Sequence, residues 1–158
     1  MKMIIASIAV ALSVVPVAAA QTIRVDHLTQ RQLIDKAMEL NAKALGSDGA
    51  ASAKLDDYSN HFTMISLRHK DGGAEIHEEF ADFFLVVRGH ATLLTGGTVL
   101  NGKTVSPGEI RGTSLQDGTR TALGQGDIVH IPATLSHQLL VPQGGTFIYF
   151  VIKVKEMR

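Results

Sequence analysis

Short apolar runs divided by glycine turns, with a single helical pattern ahead of them, constrain this chain more than any other feature. Residues 62–68, 74–77, 82–88, 91–95, 127–131, 138–141 and 146–154 each carry a β-like run. Turn signals separate them: Asp71-Gly72-Gly73, Gly96-Gly97, Asn101-Gly102, Asp117-Gly118 and Gly144-Gly145. Strands this short, following one another without crossover helices, close into a sandwich or barrel of antiparallel sheet. The stretch 96–125 is the least regular. It reads as an insertion into the barrel, able to form a hairpin or a lid over its mouth.

The one helix has a legible start. Thr29 followed by Gln32 fits a capping box, with Leu28 and Leu33 at the two staple positions. Leu33, Ala37, Leu40 and Ala44 recur at helical spacing and give one apolar face. Gly46 is placed to stop the helix, and the small polar residues 47–52 read as a loop.

Residues 1–20 read as a secretory signal peptide. Lys2 supplies the positive start, residues 4–15 the apolar run, Pro16 its end, and Ala18-Ala19-Ala20 a small-residue cleavage site. The alternative, an uncleaved anchor, needs a longer apolar run, of roughly 20 residues. The expected organisation is a signal peptide over 1–20, an N-terminal helical segment over 21–55 and a β-barrel over 56–158. The expected destination is the periplasm or the exterior, with no membrane association after cleavage.

Composition removes several function classes. The 15 basic and 15 acidic side chains balance, so there is no basic excess to meet nucleic-acid phosphates. The chain has no Cys, which excludes disulfides, thiol nucleophiles and zinc–thiolate sites. No nucleophile elbow, phosphate-binding loop or dinucleotide glycine fingerprint occurs.

Two segments carry chemistry. In Glu75-Ile76-His77-Glu78-Glu79-Phe80-Ala81-Asp82, an extended 74–77 points Glu75 and His77 to one face, because strand side chains alternate. Asp82 follows a short turn and can open the next antiparallel strand beside His77. In the second segment, Gly126 leads through His130 and Pro132 to His137, just past a turn. Glu79 is a further candidate carboxylate if the 78–81 turn bends inward. His27, His69 and His90 lie near turns or element ends and invite no role, and alternation leaves His130 unplaced.

These segments resemble the two signature motifs of the cupin superfamily. The first, G-x5-H-x-H-x3,4-E-x6-G, appears as Glu75-x-His77-x4-Asp82-x6-Gly89. The second, G-x5-P-x-G-x2-H-x3-N, appears as Gly126-x5-Pro132-x-Thr134-x2-His137, with Val141 where Asn is usual. Glu75 stands for a His, Asp82 for a Glu, Thr134 for the turn Gly, and His69 for the leading Gly. The resemblance covers roughly residues 56–155. It implies an all-β, single-domain cupin barrel (a double-stranded β-helix, or jelly roll) behind one N-terminal α-helix, and a tendency to form homodimers.

Cupins commonly hold a divalent metal on three His and one Glu. Carried over by position, the resemblance implies Glu75, His77, Asp82 and His137 as ligands, a set suited to Fe, Mn, Zn or Ni. Glu75 has a second reading, as a general base beside three remaining ligands. The metal-free alternative leaves His77 and His137 hydrogen-bonded in the mouth with Asp82 as partner. Around the site, Phe84 and Val86 share alternation with Asp82 and point into the barrel. Met64, Ser66 and Arg68 alternate on another strand, and Tyr58 and His61 precede it at the rim. Met64, Phe84 and Arg68 are the candidate substrate contacts. Arg68 reads either as a surface cation at a strand end or as a partner for an anionic substrate group. Glu109, Arg111 and Thr113, in the 96–125 stretch, reach the site only if that stretch folds over the mouth.

The expected function is an exported cupin metalloenzyme acting on a small organic molecule, as an oxygenase, isomerase or lyase. The alternative is a non-catalytic cupin that binds a sugar or an organic acid, with or without metal.

Overall fold

The computed structural model describes residues 25–156. The signal-peptide reading of residues 1–20 lies outside them. Helix α1 (Gln30–Glu39) begins as its sequence signals. The Thr29 side chain caps the Gln32 amide, and the Gln32 side chain caps the Thr29 amide in return. A short α2 (Asn41–Leu45) follows and ends at Gly46. No helix among the described residues is long and apolar enough to cross a membrane.

Thirteen strands follow, in two main sheets. The first sheet takes β1 (Ala50–Asp57), β2 (His61–Arg68), β13 (Phe147–Lys155), β4 (Phe80–Arg88) and β11 (Ile128–Ile131), in that order. The second takes β10 (Thr119–Leu123), β5 (Ala91–Thr95), β12 (His137–Leu140), β3 (Ala74–His77), β8 (Glu109–Gly112) and β7 (Lys103–Ser106). Strands β6 (Thr98–Leu100) and β9 (Ser114–Gln116) form a small ribbon. All recorded pairings are antiparallel.

The barrel core is built by alternation. Phe84, Val86, Leu93, Leu139, Phe147, Tyr149 and Val151 belong to one buried cluster between the sheets. The outward residues of the first sheet meet the helices. Ile65, Leu67, Val87 and Ile148 pack with Leu33, Ala37 and Ala44 in a second cluster. Burying the apolar faces on both sides of this sheet is the main stabilising term, at roughly 25 cal/mol per Å².

Two expectations change. The loop expected over 47–52 gives way at Ala50, where β1 begins. Its sequence, AASAKLDD, is poor in β-branched residues, so local propensity does not announce a strand. Tertiary context makes it one: it pairs with β2 along its length, and Ala51 belongs to the same buried cluster as Ala37 and Ala44 of the helices. The stretch 96–125 is neither an insertion nor a lid, though it does contain a hairpin, β7 with β8. Its β8 pairs with β3 and its β10 pairs with β5, so it completes the second sheet. It looked irregular because β7 and β10 are the exposed outer strands of that sheet and carry few apolar residues.

Two turn residues fix the strand ends near the motifs. Gly89 closes β4 at φ +88°, and a Cβ there would stand 2.1 Å from the Thr146 carbonyl oxygen, so only glycine fits. Thr134 adopts φ +70° in the turn before His137, a left-handed conformation that is costly for a β-branched residue. Its amide donates to the His77 carbonyl at 2.7 Å, which ties that turn to β3. Thr134→Gly should therefore stabilise the protein by about 1 kcal/mol, with the strain relieved exceeding glycine's added chain entropy. Urea denaturation of the two proteins checks this, through a higher midpoint at unchanged slope.

Candidate metal centre

Strand register gathers the polar groups. On β3, Glu75 lies opposite His137 of β12 on one side and Arg111 of β8 on the other. His77 lies opposite Glu109. From the facing sheet, Asp82 of β4 lies opposite Lys153 of β13. Each pair is a cross-strand neighbour, close enough for direct side-chain contact.

The four groups expected from the sequence converge. His77 Nε2 lies 3.4 Å from Glu75 Oε2 and 3.4 Å from Asp82 Oδ2. His137 Nε2 lies 3.8 Å from each of the same two oxygens. The imidazole centroids are 5.1 Å apart. His77, His137 and Asp82 are buried and Glu75 is largely so. Ligand atoms of Glu75, His77 and His137 all fall within 4.8 Å of one another, a spacing that can hold a metal ion.

The tautomers are fixed from behind. His77 Nδ1 donates to the Glu109 carboxylate, at 2.9 Å to Oε1 and 2.8 Å to Oε2. A carboxylate offers only acceptors, so Nδ1 carries a proton, and in the neutral imidazole the Nε2 lone pair points inward. His137 Nδ1 donates to the Leu135 carbonyl at 3.1 Å, with the same consequence. Two inward lone pairs therefore face two carboxylate oxygens, and the buried His77 Nε2 has no hydrogen-bond partner. An orphaned buried acceptor is costly unless something completes it. A cation does so, and His with a carboxylate behind it is a usual way to orient a metal ligand. The donor set thus fits a divalent ion.

Charge is balanced around the cluster. Arg111 pairs with Glu75 Oε2 and lies 3.0 Å from Glu109 Oε2. Arg68 Nη2 lies 3.5 Å from Glu75 Oε1. Lys153 Nζ lies 2.6 Å from Asp82 Oδ1, an ion pair whose angles are not those of a hydrogen bond. Burial alone would raise the Glu75 carboxyl. The positive charges of Arg111 and Arg68 beside it outweigh that and hold it well below the usual carboxylate range. Burial pushes His137 down, against the pull of Glu75 and Asp82, and so keeps its lone pair available.

The candidate substrate contacts divide. Phe84 and Met64 lie in the barrel interior, Phe84 buried and Met64 half-buried against the same cluster. Arg68 is not a surface cation: its side chain is 16% exposed and lies beside Glu75. Glu79 is 56% exposed and pairs with Lys155, so the 78–81 turn does not bring it inward. His61 stacks on Tyr58 with centroids 4.4 Å apart, and exposed His130 stacks on Phe83. The sequence named Glu109 and Arg111 without a role, and did not reach Lys153 or Tyr149. Register was the missing information, because each enters through a strand partner far away in the chain.

No protein-family sequence model and no curated protein sequence matches the chain. Solved structures do. A double-stranded β-helix protein from Klebsiella pneumoniae aligns at TM-score 0.52 and 14% identity, over 69% of this chain and 79% of that one. The cupin domain of Cnp3 from Schizosaccharomyces pombe aligns at TM-score 0.52 and 5% identity, over 68% and 61%. The DMSP lyase DddQ from Ruegeria pomeroyi aligns at TM-score 0.51 and 14% identity, over 70% of this chain and 49% of its own. The chain is thus built as a cupin double-stranded β-helix, and it spans about half the length of the lyase.

The Asp82–Lys153 pair gives a stability test. Lys153→Met leaves a buried carboxylate without its cation and should destabilise the protein by about 3 kcal/mol. The double variant Asp82→Asn/Lys153→Met should recover part of that loss. Urea midpoints of the wild type, both single variants and the double variant close the cycle.

Proposed function

We propose that the protein is an exported cupin metalloprotein that holds one divalent ion on Glu75, His77, Asp82 and His137 and acts on a small organic molecule. The observation that carries the reading is the buried, unpartnered Nε2 of His77, aimed at two carboxylate oxygens and fixed by Glu109. Export rests on the signal-like residues 1–20. That a DMSP lyase shares the fold supports an enzymatic use of this barrel, without choosing the reaction.

A bound divalent ion would supply Lewis acidity, polarising an oxygen of the substrate. The chain's residues supply the rest. Glu109 holds the His77 proton on Nδ1 and so keeps Nε2 free as a ligand. The Leu135 carbonyl does the same for His137. Lys153 takes up one Asp82 oxygen and leaves the other facing the imidazoles. Glu75 is held so firmly ionised that it is a poor proton acceptor, which favours it as a ligand over the general base also considered.

Metal analysis of protein purified without a metal-affinity column tests the reading. The expected content is about one divalent ion per chain, of the Fe, Mn, Zn or Ni group that such donors suit. His77→Ala and His137→Ala should each abolish it, and full occupancy in both variants would overturn the assignment. Glu109→Gln keeps the ligands but weakens their orientation. It should lower metal affinity about 10- to 100-fold, read by competition with a chromogenic chelator.

A further inference from the structure

Beside the four converging groups lies one largely buried cation whose hydrogen-bonding capacity is only partly used. Arg68 ends β2, yet it is seated inside the barrel. Its Nε donates to the Tyr149 hydroxyl at 3.1 Å. Its Nη2 reaches Glu75 only at 3.5 Å, too far for a strong hydrogen bond. A guanidinium has five N–H donors in a fixed fork, so most of its capacity is not spent on these two partners.

The seat is built for it. A Cβ at Gly72 would stand 2.7 Å from Arg68 Nη1 and 3.0 Å from Cζ, so the missing side chain is what lets the guanidinium lie there. Gly72 is itself held at both ends. Its amide donates to the Leu139 carbonyl at 2.8 Å, and its carbonyl accepts from Gln138 Nε2 at 2.7 Å. Gln138 Oε1 in turn accepts from the Leu115 amide at 2.8 Å. A buried glutamine thus has both ends committed to keeping the floor under Arg68 in place.

Arg68 lines a cavity of about 20 Å³ with Tyr149, Glu75 and His137, and Phe84 and Leu139 form its apolar wall. That space admits one or two groups the size of a water molecule, a ligand's head rather than its body. The surrounding charge sets the sign of that head. Arg68, Arg111 and Lys153 already balance Glu75, Asp82 and Glu109. A divalent ion on the cluster adds two positive charges that no side chain here offsets, and an anionic ligand would.

We infer that this cavity takes the carboxylate of a small organic acid, held by the Arg68 fork beside the metal cluster. The inference deepens the proposed function and rests on its metal site for the charge balance. A planar guanidinium matches a carboxylate in a way that no neutral group reproduces. The substrate class is therefore a short-chain carboxylic acid.

Calorimetric titration of the purified protein with acetate and propionate, against acetamide and propionamide, tests this, with metal content measured on the same samples. The acids should bind, and the amides at least about ten-fold more weakly. Arg68→Gln should weaken acid binding by about the same factor when compared at equal metal content, and Arg68→Lys should restore part of it. Gly72→Ala is the second variant. It meets only the flexible end of Arg68, so the fold should survive while the guanidinium is displaced and acid binding falls. Equal affinity for acids and amides, or wild-type acid affinity in both Arg68→Gln and Gly72→Ala, overturns the inference. Metal-loaded protein that binds no acid overturns it and leaves the metal reading standing. Metal-free protein that binds acid through Arg68 does the reverse, and metal-free protein that binds none overturns both.

Discussion

The site depends on the antiparallel register of one four-residue strand. β3 contributes only Ala74, Glu75, Ile76 and His77, yet it lies between β12 and β8. That position sets Glu75 against His137 and Arg111, and His77 against Glu109. A slip of one residue would turn every β3 side chain to the opposite face. Glu75 and His77 would then leave the barrel interior and their charged partners would be stranded. The backbone tie from Thr134 to the His77 carbonyl reinforces the same register from the neighbouring turn. The strain at Thr134 is thus held at the point where the two motif segments are joined.

Packing makes this register more than a local accident. The apolar cluster between the sheets supports the polar end of the barrel from beneath, with Phe84 on Tyr149 at 5.0 Å and Tyr149 on Phe147 at 5.1 Å. Tyr149 belongs to both regions: its ring is in the core, and its hydroxyl holds Arg68. On the outer face of the first sheet, α1 and α2 cover Ile65 and Leu67 of β2, Val87 of β4 and Ile148 of β13, so β2 is packed on both faces around Arg68. Rigidity of this kind is what keeps polar groups at fixed spacing in a low-dielectric setting.

Much of this was legible in the sequence, and the rest failed for definable reasons. Motif spacing named Glu75, His77, Asp82 and His137, and the strand register brings these side chains together. The capping box at Thr29 and Gln32 is likewise a local signal and was read from local sequence. The start of strand β1 was missed because its alanine-rich sequence carries no β propensity and its pairing with β2 is a tertiary contact. The 96–125 stretch was misread because outer strands carry solvent-compatible residues and so mimic loops. Glu109, Arg111 and Lys153 reach the cluster through strand pairing, and spacing along one chain does not encode which strands pair.

The carboxylate at position 75, where the family motif usually has a histidine, cannot be interpreted by itself. An imidazole there would add no fixed charge, whereas Glu75 adds a negative one close to Asp82 and Glu109. Placed alone in a largely buried site, it would be driven toward its protonated form by desolvation and like-charge repulsion. Instead Arg111 and Arg68 lie against it and hold it ionised. The altered motif and the two arginines therefore form one electrostatic unit. Such a unit offers carboxylates to a cation and guanidinium donors to an anion, with Glu75 in contact with both sides. A site with this charge plan is suited to a metal and an acidic ligand together more than to either by itself.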